Sequence, residues 1–228
     1  MQRSSGLFRT TIGLKIIMAL SGVVWVGFVI GHMLGNLKVY QGPEAFNHYA
    51  EGLRVFGDPF LGREQALWIA RVVLIVALLL HVWAAWRLTR RSHAAREVGY
   101  RKKETISFSR ASKTMRWGGV ALLAFLVYHI LHFTTGTVHH DFVPGDPYYN
   151  FVAGFQVWYV SAFYVLAMVA LGLHLYHGVW SGFQTLGFGD GQEHGRRWHR
   201  QLALVIALVV ALGNLSFPVA VLTGVISQ

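Results

Sequence analysis

Residues 12–37 read IGLKIIMALSGVVWVGFVIGHMLGNL, a stretch of 26 residues with one cation, Lys15, and no acid. At about 1.5 Å per residue a helix of that length exceeds the roughly 30 Å of hydrocarbon in a bilayer. Four further runs of the same character follow, at approximately 66–86, 117–136, 155–182 and 201–226. Of 228 residues, 54% are hydrophobic and 13% charged, and the charge is gathered into the stretches between the runs. A segment in hydrocarbon satisfies its own backbone polar groups only as a helix. The runs therefore predict an all-α integral membrane protein, a five-transmembrane-helix bundle forming one membrane domain over 1–228. The first run is too long, and starts too far along the chain, for an ordinary cleaved signal peptide, and is expected to stay in the mature protein.

Positive charge sets the expected orientation. Between the second and third runs lie Arg87, Arg90, Arg91, Arg96, Arg101, Lys102, Lys103, Arg110, Lys113 and Arg116, whereas residues 138–154 hold no Lys or Arg. Arg3, Arg9 and Lys15 precede or open the first run, and Arg196, Arg197 and Arg200 lie between the fourth and fifth. Basic loops stay on the cytoplasmic side, so the N-terminus is expected inside and the C-terminus outside, in a bacterial cytoplasmic (inner) membrane. The formal net charge of +10 then reads as topology, with lipid headgroups and a docked cytoplasmic protein both open as contacts. No basic domain exists to bind nucleic acid. The absence of cysteine excludes disulfides, iron–sulfur ligation and covalently attached haem in this chain.

Six of the twelve histidines, His32, His81, His129, His132, His174 and His177, lie in or near the runs. An ionisable side chain in hydrocarbon is costly and marks a functional site by default. In the expected orientation His32 stands roughly 25 Å beyond Lys15 and His129 about 20 Å beyond Arg116, both toward the outer leaflet. The returning helices place His81 six residues before Arg87 and His174 six before Trp180, toward the inner leaflet. Two pairs at two matched depths are what bis-histidine ligation of two haems requires, because iron takes one neutral imidazole on each face. A zinc site needs three or four ligands at one depth. Gly31 and Gly35 beside His32, and Gly172 and Gly178 beside His174, give room for a macrocycle, or equally for close helix contact.

These residues resemble a known family, the single-chain, five-helix, di-haem cytochrome b membrane anchor of succinate dehydrogenase and fumarate reductase. The resemblance spans nearly the whole chain. It rests on Gly31-His32-Met33-Leu34-Gly35-Asn36-Leu37 with Gly42-Pro43-Glu44-Ala45-Phe46-Asn47, on His81-Val82-Trp83, on Tyr128-His129-Ile130, and most specifically on His174-Leu175-Tyr176-His177-Gly178-Val179-Trp180-Ser181. It implies two haem b groups, the distal on His32 and His129 and the proximal on His81 and His174. Depth alone accepts His132 beside His129; the resemblance favours His129 over His132 and His174 over His177. It also implies electron transfer between an iron–sulfur subunit and membrane quinone, expected to be menaquinone. Succinate chemistry would then sit on a flavoprotein and an iron–sulfur protein at the cytoplasmic face, with a higher oligomer of the whole complex left open. A cytochrome b of a hydrogenase or nitrate reductase and a haem-free structural anchor are the alternatives.

For the quinone, the inner side offers Lys15, Ser21, Trp180, Ser181 and Gln184. The outer side offers His48, Glu51, His139, His140 and Asp141, with Glu51 and His48 as proton exchangers. Arg71, inside the second run, is expected either to meet a distal-haem propionate or to snorkel outward.

Overall fold

The computed structural model describes residues 10–95, 107–188 and 193–228, with side chains for all of these except 107–114 and 193–197. The basic residues Arg3, Arg9, Arg96, Arg101, Lys102 and Lys103, and the side chains of Arg110, Lys113, Arg196 and Arg197, lie outside the described residues. Seven α-helices make up the described chain: α1 Thr11–Asn36, α2 Pro43–Arg54, α3 Gln65–Ala94, α4 Ser107–His129, α5 Pro147–Gln156, α6 Trp158–Thr185 and α7 Glu193–Leu222. Among the described residues there is no strand. Five segments are long and apolar enough to cross a membrane: 11–41, 65–94, 115–134, 158–185 and 198–222. The chain is a multi-pass, all-α membrane protein.

Its inside and outside agree with that solvent. On α3 the buried residues are Ala77 and Ala84, whereas Val72, Ile75 and Leu79 are more than half exposed. On α7 the buried set includes Ala203, Ala207, Val210 and Ala211, with Leu212 on the exterior. Small residues inside and large apolar ones outside are the pattern of helices that associate by close packing rather than by escaping water. α6 packs along α7, α1 along α3, and α4 against α6. At Gly172 an added Cβ would meet Ala211 at 3.1 Å, and at Gly213 the Met33 sulfur already fills the place where a side chain would begin.

Two short helices close one end of the bundle. α2 starts at Gly42, whose φ of +94° suits glycine, with Pro43 in its first turn, where the missing N–H costs nothing. Phe46 goes under Phe151 and Tyr148 of α5, at ring-centre distances of 5.6 and 6.4 Å. Asn47 then pins the two helices together: its Nδ2 donates to Asp146 Oδ1 at 2.9 Å and its Oδ1 accepts from the Tyr148 N–H at 2.9 Å. Asp146 is itself the N-cap of α5, accepting from the Tyr149 N–H at 3.0 Å. The run expected over 155–182 is divided here. Phe155 and Gln156 end α5, Val157 is extended (φ −76°, ψ 104°), and α6 begins at Trp158. The buried Ser161 hydroxyl donates to the freed Phe155 carbonyl at 2.6 Å.

At the same end α4 finishes in a π-helical segment, Ile130–Thr134. The opposite end carries Arg87, Arg90, Arg91 and Arg116, and is called the basic end below, against the capped end that holds α2 and α5.

Candidate functional site

The four histidines expected to pair do pair in space. The rings of His32 on α1 and His129 on α4 stand 5.9 Å apart, centre to centre, and those of His81 on α3 and His174 on α6 stand 6.3 Å apart. Neither pair is joined by a ring-to-ring hydrogen bond; their bonds run instead to other groups. Two imidazoles held on opposite faces of one metal, with metal–nitrogen bonds of about 2 Å, stand about 6 Å apart centre to centre. Both separations match that spacing. The angle between the planes, 86° in one pair and 61° in the other, is unconstrained by such ligation because each ring turns about its own metal–nitrogen axis. Among the described residues no three His, Asp or Glu side chains converge on a common point.

The pairs are set by a repeated device. α1 carries Gly22 and His32, and α4 carries Gly119 and His129, in each case ten residues apart. A Cβ on Gly22 would lie 3.5 Å from the His81 ring, and one on Gly119 would lie 3.6 Å from the His174 ring. Each glycine thus marks the level of one pair while the histidine on the same helix joins the other. α1 and α4 run in the same direction, and ten residues put the pairs about 15 Å apart along the helix axes.

The ring nitrogens not facing a partner ring are held from behind. His81 Nδ1 lies 3.1 Å from the Met18 carbonyl and 3.3 Å from Ser21 Oγ. Ser21, expected among the inner quinone candidates, is buried and also donates to the Ile17 carbonyl at 2.7 Å. His129 Nδ1 lies 3.3 Å from the Tyr164 hydroxyl. His32 departs from this: its contact is at Nε2, which lies 3.3 Å from Asn36 Nδ2, one turn along. His174 Nδ1 is buried with no partner among the described residues. A ligating histidine ordinarily donates its second N–H to a carbonyl, hydroxyl or carboxylate, and His81 and His129 are arranged for that.

Of the four glycines credited with making room, Gly31 and Gly178 face open space, whereas Gly35 is covered by the Tyr49 ring and Gly172 by Ala211. Two of them serve helix packing. His177 lies with His174, Met115, Gly118, Ala170 and Leu173 along a narrow cleft between α4 and α6. His132 is almost fully buried, its ring against Gly154 of α5 and stacked on that of His139.

Most of the remaining candidates are engaged locally. Arg71 lies over the Trp68 ring at 4.7 Å, one turn toward the capped end, which accounts for the cation without a carboxylate. Glu51 pairs with Arg63 at 2.5 Å and Arg54 at 3.3 Å. The Arg63 bond, joined by its charge and by Arg54, holds the Glu51 carboxyl below the usual carboxylate range, and the two ion pairs make it a clasp for the 55–64 turn. His48 is on the exposed side of α2 and Lys15 and Gln184 are exposed. Ser181 donates back to the Gly178 carbonyl at 3.1 Å, and Trp180 lies under Arg200 at 4.4 Å. His139 is fixed by the Asn150 carbonyl at 2.8 Å and the Asp141 N–H at 3.1 Å, and His140 stacks on it. Asp141 accepts from the Tyr149 hydroxyl.

Comparison with protein-family models, characterised proteins and solved structures gives no match. The reading of the site therefore rests on its own geometry. That geometry includes one residue which no sequence motif marks, Tyr164, whose contact with His129 depends on the helical phase of α6.

Proposed function

We infer that the chain is a di-haem cytochrome b, the membrane anchor of a succinate:quinone oxidoreductase. His32 and His129 would hold one haem b and His81 and His174 the other. The single observation that carries this reading is the matched pair of imidazole separations, near 6 Å at two levels of one bundle. Haem bound in this way supplies a reversible one-electron centre at each level.

The protein's own residues then do three things. The Met18 carbonyl, Ser21 and Tyr164 orient ligand rings; the apolar spans exclude water from the space between them; and the α2–α5 cap closes the bundle beside the His32–His129 pair. With the basic end on the cytoplasmic side, the inner pair faces a docked iron–sulfur subunit and its flavoprotein, and the outer pair lies toward the far leaflet. Electrons pass between that partner and membrane quinone, menaquinone in this reading. In this reading succinate chemistry sits on those partners, and the chain works as one subunit of the enzyme, in a bacterial cytoplasmic membrane.

The test is a reduced-minus-oxidised spectrum with a redox titration of the purified complex. Two low-spin b haems per chain are expected, with the inner haem at the higher potential because nearby arginines favour the less positive, reduced iron. Co-purification of flavin and iron–sulfur subunits is expected with them. A chain that binds no haem, or only one, sinks the reading.

A further inference from the structure

Tyr164 presents one hydroxyl to two imidazoles: His129 Nδ1 at 3.3 Å and His132 Nδ1 at 3.0 Å. It is only 5% exposed, so no water competes. A phenol donates once and accepts through its lone pairs. The arrangement is satisfied only if one imidazole brings an N–H and the other a lone pair.

Ligation decides which. A histidine that binds metal through Nε2 spends that lone pair and carries its proton on Nδ1, so His129 donates to the Tyr164 oxygen. The Tyr164 O–H then turns to His132 Nδ1, and His132 keeps its proton on Nε2. His132 is fixed for that task. The π-helical segment 130–134 adds a residue to the last turn of α4, carrying the ring toward α5. There it stacks on Tyr128 at 5.4 Å and His139 at 4.7 Å. Gly154 of α5 leaves it room, since a Cβ there would come within 2.8 Å of the His132 ring. Nothing comparable stands behind His174, whose Nδ1 is without a partner among the described residues.

We propose that Tyr164 is a positioning residue for the outer haem: it accepts the Nδ1–H of His129, with His132 as the terminal acceptor, and so fixes the ring and its electron-donating strength. This rests on the di-haem reading above. A hydrogen bond accepted from Nδ1–H makes an imidazole a stronger donor to iron, which favours the oxidised, more positive state and lowers the outer potential. The Tyr164 oxygen accepts better when its own proton is given onward, so His132 adds to the effect without touching the metal.

The experiment is a redox titration of Tyr164→Phe and His132→Leu, together with the electron paramagnetic resonance spectrum of the oxidised complex. The outer haem is assigned as the one that survives in His174→Ala. Tyr164→Phe, which keeps the packed ring, is expected to retain both haems, raise the outer potential, change the outer haem's resonance signal and leave the inner haem unmoved. His132→Leu is expected to raise the outer potential by a smaller step. With two haems present, an unmoved or lowered outer potential in Tyr164→Phe overturns the proposal and leaves the functional reading standing. Loss of a haem in His132→Leu also overturns it, because His132 would then be a ligand. A wild-type chain without haem overturns the functional reading itself.

Discussion

At the scale of single residues the two histidines of α6 make a sharp contrast. His174 faces His81 across the bundle at 6.3 Å, whereas His177, three residues on, has its ring contact with Tyr176 at 5.1 Å and none with an imidazole of another helix among the described residues. His174→Ala or His81→Ala should therefore abolish the inner haem and spare the outer one, and His177→Ala should spare both; haem counts by pyridine haemochrome decide this, and the reverse result would move the ligand. Glu51 carries a pH dependence. Its carboxyl is lowered from an ordinary 4.5, first by the Arg63 hydrogen bond, so its folded value lies below its unfolded value. The pairing is then fully present above 4.5 and fades as pH falls below it, through the folded value. The protection factor across residues 55–64, the amide exchange rate taken relative to the intrinsic rate at each pH, should fall in that acid window and stay unchanged between about pH 6 and 8. A protection factor that already falls near neutrality would show that Glu51 does not clasp the turn. What the sequence made legible at this scale is which imidazoles stand side by side, because imidazoles stand out in hydrocarbon. The groups behind the rings were not legible: a Met18 carbonyl has no side-chain signature, and Tyr164 is one aromatic among several in its span until the phase of α6 is known.

At the scale of elements, the five spans could be read because a bilayer imposes one length and one composition on each. The break at Val157 could not, since residues 155–160 are Phe-Gln-Val-Trp-Tyr-Val and contain neither proline nor glycine to mark it. The helix is cut instead by the need of α5 to lie across the bundle end, with Ser161 taking up the freed carbonyl. The Gly42–Asn47 motif, which in sequence marks only a connection, is the foot of that cap. Gly42 turns the chain, Phe46 fills the space under α5 and Asn47 makes two hydrogen bonds to it. Asn47→Ala removes both bonds and leaves the Tyr148 N–H short of an acceptor, a loss of about 1–3 kcal/mol. The expected outcome is a lower thermal unfolding midpoint in detergent with both haems still bound. Stability unchanged within error would mean that packing of Phe46 alone holds the cap, and loss of the outer haem would mean that the cap also shapes that site.

For the whole molecule, the Gly22–His32 and Gly119–His129 repeats put two histidine pairs at two levels of one bundle. Their use depends on which end faces the cytoplasm. In the proposed di-haem reading, a basic end on the inside would place the His81–His174 pair near the proposed soluble partner and the His32–His129 pair under the cap on the far side, so that electrons would pass from one level of the bundle to the other. An inverted bundle would reverse the order of the pairs and take the arginines away from the inner level. Because the chain has no cysteine, one engineered thiol reports on one position. Ser92 is exposed at the end of α3, and Val138 is 45% exposed between α4 and α5. A membrane-impermeant maleimide should label Val138→Cys in intact spheroplasts and label Ser92→Cys only after the membrane is opened. Labelling of Ser92→Cys in sealed spheroplasts, with Val138→Cys protected, would invert the bundle and assign the proximal haem to His32 and His129.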